Sequence, residues 1–266
     1  PAFPIRGVDD GLLYTTFEAV KDLGGLPKVH AENIEVGLKL APKYISRTDN
    51  AAWAESKPGY LEELDAVEVC EIARITGSPA YLVHTSVGNV IDIANEYRRK
   101  GVKVYLETTI HYLTLDYTGD NIKLGALGAK ASPPARTKDD IAKLWNGINN
   151  GSIDCIGTDT TPRMYNEDFP EGCNIWSSGF SYTYTELMLP ILLSEGVNKG
   201  RIPIEKVAEL SNKNAKIHGM HPQKGEILPG SDADLVIIDL KKKVKVSPEI
   251  LHHASDFTLF DGWEIT

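Results

Sequence analysis

Residues 80–109, AYLVHTSVGNVIDIANEYRRKGVKVYLETT, decide the fold class. The run AYLVH is a compact apolar strand that ends on a polar side chain, His84. Ser86 is a candidate N-cap for the helix that follows. In that helix Val87, Val90, Ile91 and Ala94 take the i, i+3, i+4, i+7 positions of one buried face. VKVYLETT then reads as another strand. A strand, a helix and a second strand in close succession predict a parallel sheet with helices packed outside it.

The same rhythm extends in both directions. A helix is expected after Asp9-Asp10, whose carboxylates can cap free backbone N–H groups, with Leu13, Phe17 and Val20 on one face and Gly24-Gly25 ending it. LPKVH follows as a short strand that terminates at His30. Residues 41–57 are loop-rich, and a long helix spans about Leu61 to Thr76 with Leu61, Leu64, Ile72 and Ile75 inward. Another helix begins at Asp139, and IDCIGTD is a strand ending at Asp159. Near Lys224 the texture changes: KGEILPGSDADLVIIDLKKKVKV holds two β-patterned runs around a Gly230-Ser231 turn. This predicts an α/β part over 1–221 and a small β-module over 222–266.

Composition sets the outer limits. The 266 residues allow one large domain or two smaller ones, and a (β/α)8 barrel typically needs about 250. With 42% hydrophobic and 24% charged residues the chain is an ordinary globular one. No apolar run approaches the ~18 residues of a membrane span. The net charge of −9 argues against nucleic acid and against anionic membrane surfaces. Cys70, Cys155 and Cys173 are too few and too scattered for a disulfide framework, and the lack of a CxxC pair argues against a thiolate zinc site, so a reducing cytoplasm is the expected location. No signal peptide is visible, and the chain opens on Pro1 without an initiator Met, as a segment of a longer one would.

Three strands end in metal-competent side chains: His30, His84 and Asp159. Imidazole nitrogen and carboxylate oxygen suit zinc, iron or manganese, and the C-terminal ends of parallel barrel strands are where such ligands gather. Each residue also has a plain structural reading, a hydrogen-bonded loop histidine or a helix-capping aspartate. The pattern alone leaves both readings open.

The stretches VHAEN (29–33), YLVHTS (81–86) and IGTDTTP (156–162) resemble the hydantoinase/dihydropyrimidinase branch of the amidohydrolase superfamily. His30 and His84 are 54 positions apart, and His84 and Asp159 are 75 apart, close to that family's spacing. LETTIHYLTLD (106–116), ASPPAR (131–136), LLSEGVNKGRI (192–202) and KGEILPGSDADLVIID (224–239) extend the likeness in family order. The resemblance implies the C-terminal half of a metal-dependent (β/α)8 TIM barrel, its strands 5–8, plus part of a C-terminal β-sandwich module. It implies metal-dependent hydrolysis of a cyclic amide, a hydantoin or dihydropyrimidine ring, in the full-length enzyme. The cofactor implied is two divalent metal ions, zinc by expectation, with His30 and His84 on the more exposed one. Asp159 matches the ligand of the buried metal that also serves as general base. Ser132 matches a residue whose main chain contacts the substrate ring, and Gly179 lies where a second such contact is expected. The partner implied is a small cyclic amide, with no nucleic acid or membrane and a homotetramer or homodimer as the assembly.

Some family features are missing. No His-x-His occurs in the sequence, and the carboxylated lysine that bridges both metals would fall before Pro1. Thr160-Thr161 stands where His or Cys often follows the aspartate, and Lys213-Asn214 where Asn-Pro is usual. The isolated chain is therefore expected to be inactive. Dihydroorotase and allantoinase activities fit the same site, and a metal-free assembly relative is the rival from another class. His111, just past a strand end, reads first as a hydrogen-bonded structural histidine. Trp176, Tyr182 and Tyr184 read first as aromatic packing, with the lining of a substrate pocket as the alternative.

Overall fold

The structure is a computed structural model that describes residues 7–49 and 51–266. Its elements in order are α1 (Asp10–Asp22), β1 (Lys28–Val29), α2 (Ile34–Leu40), α3 (Ala51–Ser56), α4 (Tyr60–Thr76) and β2 (Ala80–Leu82). They continue as α5 (Asn89–Arg99), β3 (Val104–Thr109), α6 (Ile110–Thr114), α7 (Gly125–Gly128), α8 (Lys138–Asn149) and β4 (Cys155–Gly157). After these come α9 (Tyr165–Asp168), α10 (Met188–Ile191), a π-helical stretch over Leu192–Val197, α11 (Ile204–Ile217), β5 (Val244–Lys245) and β6 (Glu264–Ile265).

The strands β1 to β4 form one sheet in chain order, and every pairing is parallel. Leu82 lies opposite Leu106, and Thr109 opposite Gly157. Each return passes through a helix, α4 before β2, α5 before β3 and α8 before β4. Four parallel strands in unbroken chain order with helical returns have the topology of half a (β/α)8 barrel. Side chains alternate along β3: Val104, Leu106 and Thr108 are buried against the helices, while Tyr105 and Glu107 on the other face are only partly covered. Phe17, Leu82, Ala94, Leu106, Leu144 and Ile148 belong to one buried cluster. Each large aliphatic among them contributes about 1.5–3 kcal/mol.

Asp9 caps α1 by accepting from the Leu12 N–H at 2.8 Å, as the sequence suggests. Three other details differ from the sequence reading. In α4 Leu64 and Ile75 are exposed, and the buried face is Leu61, Ala66, Val69, Cys70, Ile72 and Ala73. α4 packs between α1 and α5 through a face on which the small Ala66, Cys70 and Ala73 stand beside Leu61 and Ile72, and Leu64 and Ile75 fall off that face. Ser86 does not cap α5, whose cap is Gly88. It hydrogen-bonds the buried Glu62 carboxylate through its hydroxyl and, at 3.1 Å, its amide. The β-patterned runs around Gly230-Ser231 form no strands, and Leu235, Val236 and Ile237 stand exposed. An apolar alternation becomes a strand only where a partner satisfies its backbone, and among the described residues of this region only β5 and β6 pair. Beyond them Val246, Phe257, Leu259, Phe260 and Ile265 join the same buried cluster as the barrel helices. No helix among the described residues is long and apolar enough to cross a membrane.

Candidate active site at the strand ends

His30, His84 and Asp159 all follow the C-terminal ends of parallel strands, those of β1, β2 and β4. His84 and Asp159 each sit two residues past their strand and turn the chain through left-handed backbone, with φ of 39° and 47°. They are the non-glycine residues with positive φ among those described. Such a conformation costs of order 1–3 kcal/mol and persists where the surrounding structure enforces it.

The two histidines meet. His30 Nδ1 lies 3.0 Å from His84 Nε2, and the rings cross edge to face with centroids 4.7 Å apart. His30 is half open to solvent, whereas His84 is buried. Burial, then the neighbouring His30, hold His84 far below its ordinary value, at about 3. His84 is thus a neutral imidazole, the form that ligates metals. Its Nδ1 is buried with no hydrogen-bond partner among the described residues.

Behind His30 stands an ion pair not legible in the sequence. Glu32 Oε2 accepts from Lys57 Nζ at 2.5 Å and lies 3.6 Å from His30 Nε2. Lys57 also reaches Ser132 Oγ at 3.0 Å. Burial alone would raise the Glu32 carboxyl, but hydrogen bonding from His30 and the charge of Lys57 win and hold it at about 2. Ser132 is therefore tied to the histidine pair through Lys57 and Glu32. Its hydroxyl is engaged by Lys57.

Asp159 is exposed on the open side of the sheet. Partial desolvation, then the negative charge of Glu107, raise its carboxyl above the usual range, with His30 opposing. Among the described residues no three His, Cys, Asp or Glu side chains converge on one metal position. The two histidines form a pair, and Asp159 is within electrostatic reach of His30. Gly179 is held differently: its N–H donates to the Asp168 carbonyl at 2.7 Å, and a Cβ there would sit 2.1 Å from Asp168 Oδ1. Close packing alone thus requires glycine at 179. The adjacent Ser178 carbonyl accepts from Lys130 Nζ at 2.5 Å. Burial lowers that ammonium to about 8, and it lies 4.6 Å from the Trp53 ring.

His111 is a packed structural histidine. It stacks on Tyr182 at 4.4 Å and 8°, and it hydrogen-bonds Thr109 Oγ1 at 2.8 Å and the Tyr184 hydroxyl. Trp176 packs edge to face on Trp53 and donates to the Arg47 carbonyl. A cavity of about 760 Å³ lies elsewhere, beside α6, α8 and β6. Its Lys199 and Arg201 are paired with Glu195, and Trp145 and Trp263 donate to backbone carbonyls. The strand-end residues contribute nothing to it.

Comparison with known proteins identifies the family and the fold. Residues 41–263 match the amidohydrolase family. The chain is 36% identical over 268 residues to a D-hydantoinase of Geobacillus stearothermophilus, covering 97% of this chain and 56% of that protein. It is 30% identical over 262 residues to an L-hydantoinase of Paenarthrobacter aurescens, covering 97% and 57%. A D-hydantoinase crystal structure superposes with a TM-score of 0.91 at 34% identity, over 99% of this chain and 58% of that one. The chain therefore spans just over half the length of the curated relatives it matches. Parallel strands, polar residues at their ends and a family match over most of the sequence lead to one assignment: the chain belongs to the amidohydrolase family.

Proposed function

We propose that the protein carrying this chain opens a cyclic amide by hydrolysis, with a hydantoin or dihydropyrimidine ring as substrate. The observation that carries the reading is the His30–His84 pair, two facing imidazoles at strand ends, one of them held neutral by burial. Neutral imidazoles suit zinc, and Nδ1 of His84 is a buried donor atom with no partner among the described residues. His30 and His84 would hold one ion of a divalent pair, and Asp159 would serve the second. Such ions supply Lewis acidity toward the ring carbonyl and an activated water at neutral pH.

The remaining steps fall to this chain's own groups. Asp159, whose carboxyl is raised, accepts the proton released as water adds to the carbonyl carbon. It returns that proton to the ring nitrogen as the C–N bond breaks, so that the OH of water ends on the new carboxylic acid and its remaining hydrogen on the nitrogen, now the NH2 of a carbamoyl group. The main chain at Ser132 and near Gly179 would orient the ring. Relatives acting on both D- and L-hydantoins match this chain, so the proposal stops at the cyclic amide. The division into a barrel part, 1–221, and a module, 222–266, belongs to the same proposal. Ring opening of hydantoin and dihydrouracil by the full-length protein, with metal analysis, tests the reading: turnover with bound zinc supports it, and a metal-free, inactive protein overturns it.

A further inference from the structure

Glu107 is a glutamate in the middle of β3, partly exposed on the face of the sheet turned away from the helices. Its carboxylate contacts both neighbouring strands. On the β2 side Oε2 accepts from the Tyr81 hydroxyl at 2.6 Å, and Oε1 accepts from the backbone N–H of His84 at 3.3 Å. The Glu107 carbonyl accepts from the next amide, Thr85 N–H, at 2.7 Å. The chain thus makes its left-handed turn at His84 over one glutamate, which receives the amides on both sides of the His84 carbonyl. On the β4 side the carboxylate lies against Gly157. A Cβ built on Gly157 would come within 2.4 Å of Glu107 Cδ and 2.5 Å of Oε1. Gly157 is two residues before Asp159, the other strained strand end.

We infer that Glu107 is a positioning residue of the candidate site: its carboxylate holds the left-handed turn that presents His84 and, seated on Gly157, sets the strand end that presents Asp159. The inference rests on the proposed metal-dependent site for its purpose but not for its geometry. A strand end in unfavourable backbone needs a fixed acceptor for the amide it exposes, and a carboxylate anchored by Tyr81 is one. Groups that fix metal ligands in this way commonly change metal affinity 10- to 100-fold when removed.

The test uses isotope-labelled protein without metal, followed by zinc titration. The Cα and Cβ shifts of His84 and Asp159 report their backbone conformation with no metal present. Glu107→Ala should move both sets of resonances, and Glu107→Gln, which keeps an acceptor oxygen, should leave those of His84 near wild type. Gly157→Ala displaces the carboxylate without removing it and should move them in the same direction as the alanine variant. Tyr81→Phe removes one anchor and should produce a smaller change, which keeps the test alive if Glu107→Ala does not fold. Zinc affinity should fall at least about tenfold in Glu107→Ala and less than about threefold in Glu107→Gln. Unmoved His84 and Asp159 resonances in Glu107→Ala, Gly157→Ala or Tyr81→Phe would overturn the inference, and so would equal damage in the alanine and glutamine variants. A wild-type protein that binds no zinc would instead refute the metal site, with the resonance shifts still deciding the role of Glu107.

Discussion

Replacing Glu32 by Gln removes the negative charge at the centre of the buried cluster behind His30. The side chains of Glu32 and Lys57 are 6% and 11% exposed and meet at 2.5 Å. Breaking a buried pair by removing one partner costs about 3–5 kcal/mol. The lower end applies, because Lys57 keeps its contacts with Ser132 Oγ and the Trp53 ring. The pH dependence gives an independent figure. Glu32 lies at about 2 in the folded chain against an ordinary 4.5, a difference worth about 3 kcal/mol. Its folded-state value is depressed, so this stability is fully present above pH 4.5 and is lost as the pH falls toward 2. Urea unfolding of wild type and Glu32→Gln at a series of pH values should show a gap of about 3 kcal/mol at pH 7. The gap should close on acidification because only the wild type loses the contribution. A gap below about 0.5 kcal/mol at pH 7, or one that stays constant down to pH 2, would refute the reasoning.

Other expectations follow from the same contacts. Arg136 joins Glu62, the Ser86 hydroxyl and the Lys57 carbonyl in a buried network, so Arg136→Met should cost about 3–5 kcal/mol in urea unfolding. Gly179→Ala drives a methyl into Asp168 and should lower stability by about 1–3 kcal/mol, read by thermal denaturation. Ser132→Ala should change turnover of the full-length enzyme little, because the proposed substrate contact comes from its main chain.

Much of the fold was legible because barrel strands and helices carry separate periodicities. AYLVH, VKVYLETT and IDCIGTD each contain a strand of the parallel sheet, and the polar ends of the first and last carry two residues of the candidate site. Leu64 and Ile75 misled because the face that α4 buries runs through Ala66, Cys70 and Ala73 as well as Leu61 and Ile72, and small residues on the buried face do not stand out in an apolar periodicity. The alternation at 235–239 misled because strand formation depends on a partner, which periodicity does not reveal. At the site, the histidine pair could be anticipated from strand ends. Glu32, Lys57 and Glu107 could not: Lys57 is 25 positions from Glu32, and Glu107 acquires its partners only when β2 and β4 pair on either side of it.

The most direct test of the central claim is ring opening of hydantoin or dihydrouracil by the zinc-loaded, full-length protein, compared with its Asp159→Asn variant. Asp159 is exposed, so the substitution should shift stability by no more than about 0.5 kcal/mol and leave the fold intact. The account predicts turnover in the wild type and nearly complete loss in the variant. Turnover that survives Asp159→Asn largely undiminished would contradict the assigned proton carrier, and a zinc-loaded wild type that opens neither ring would contradict the proposed reaction.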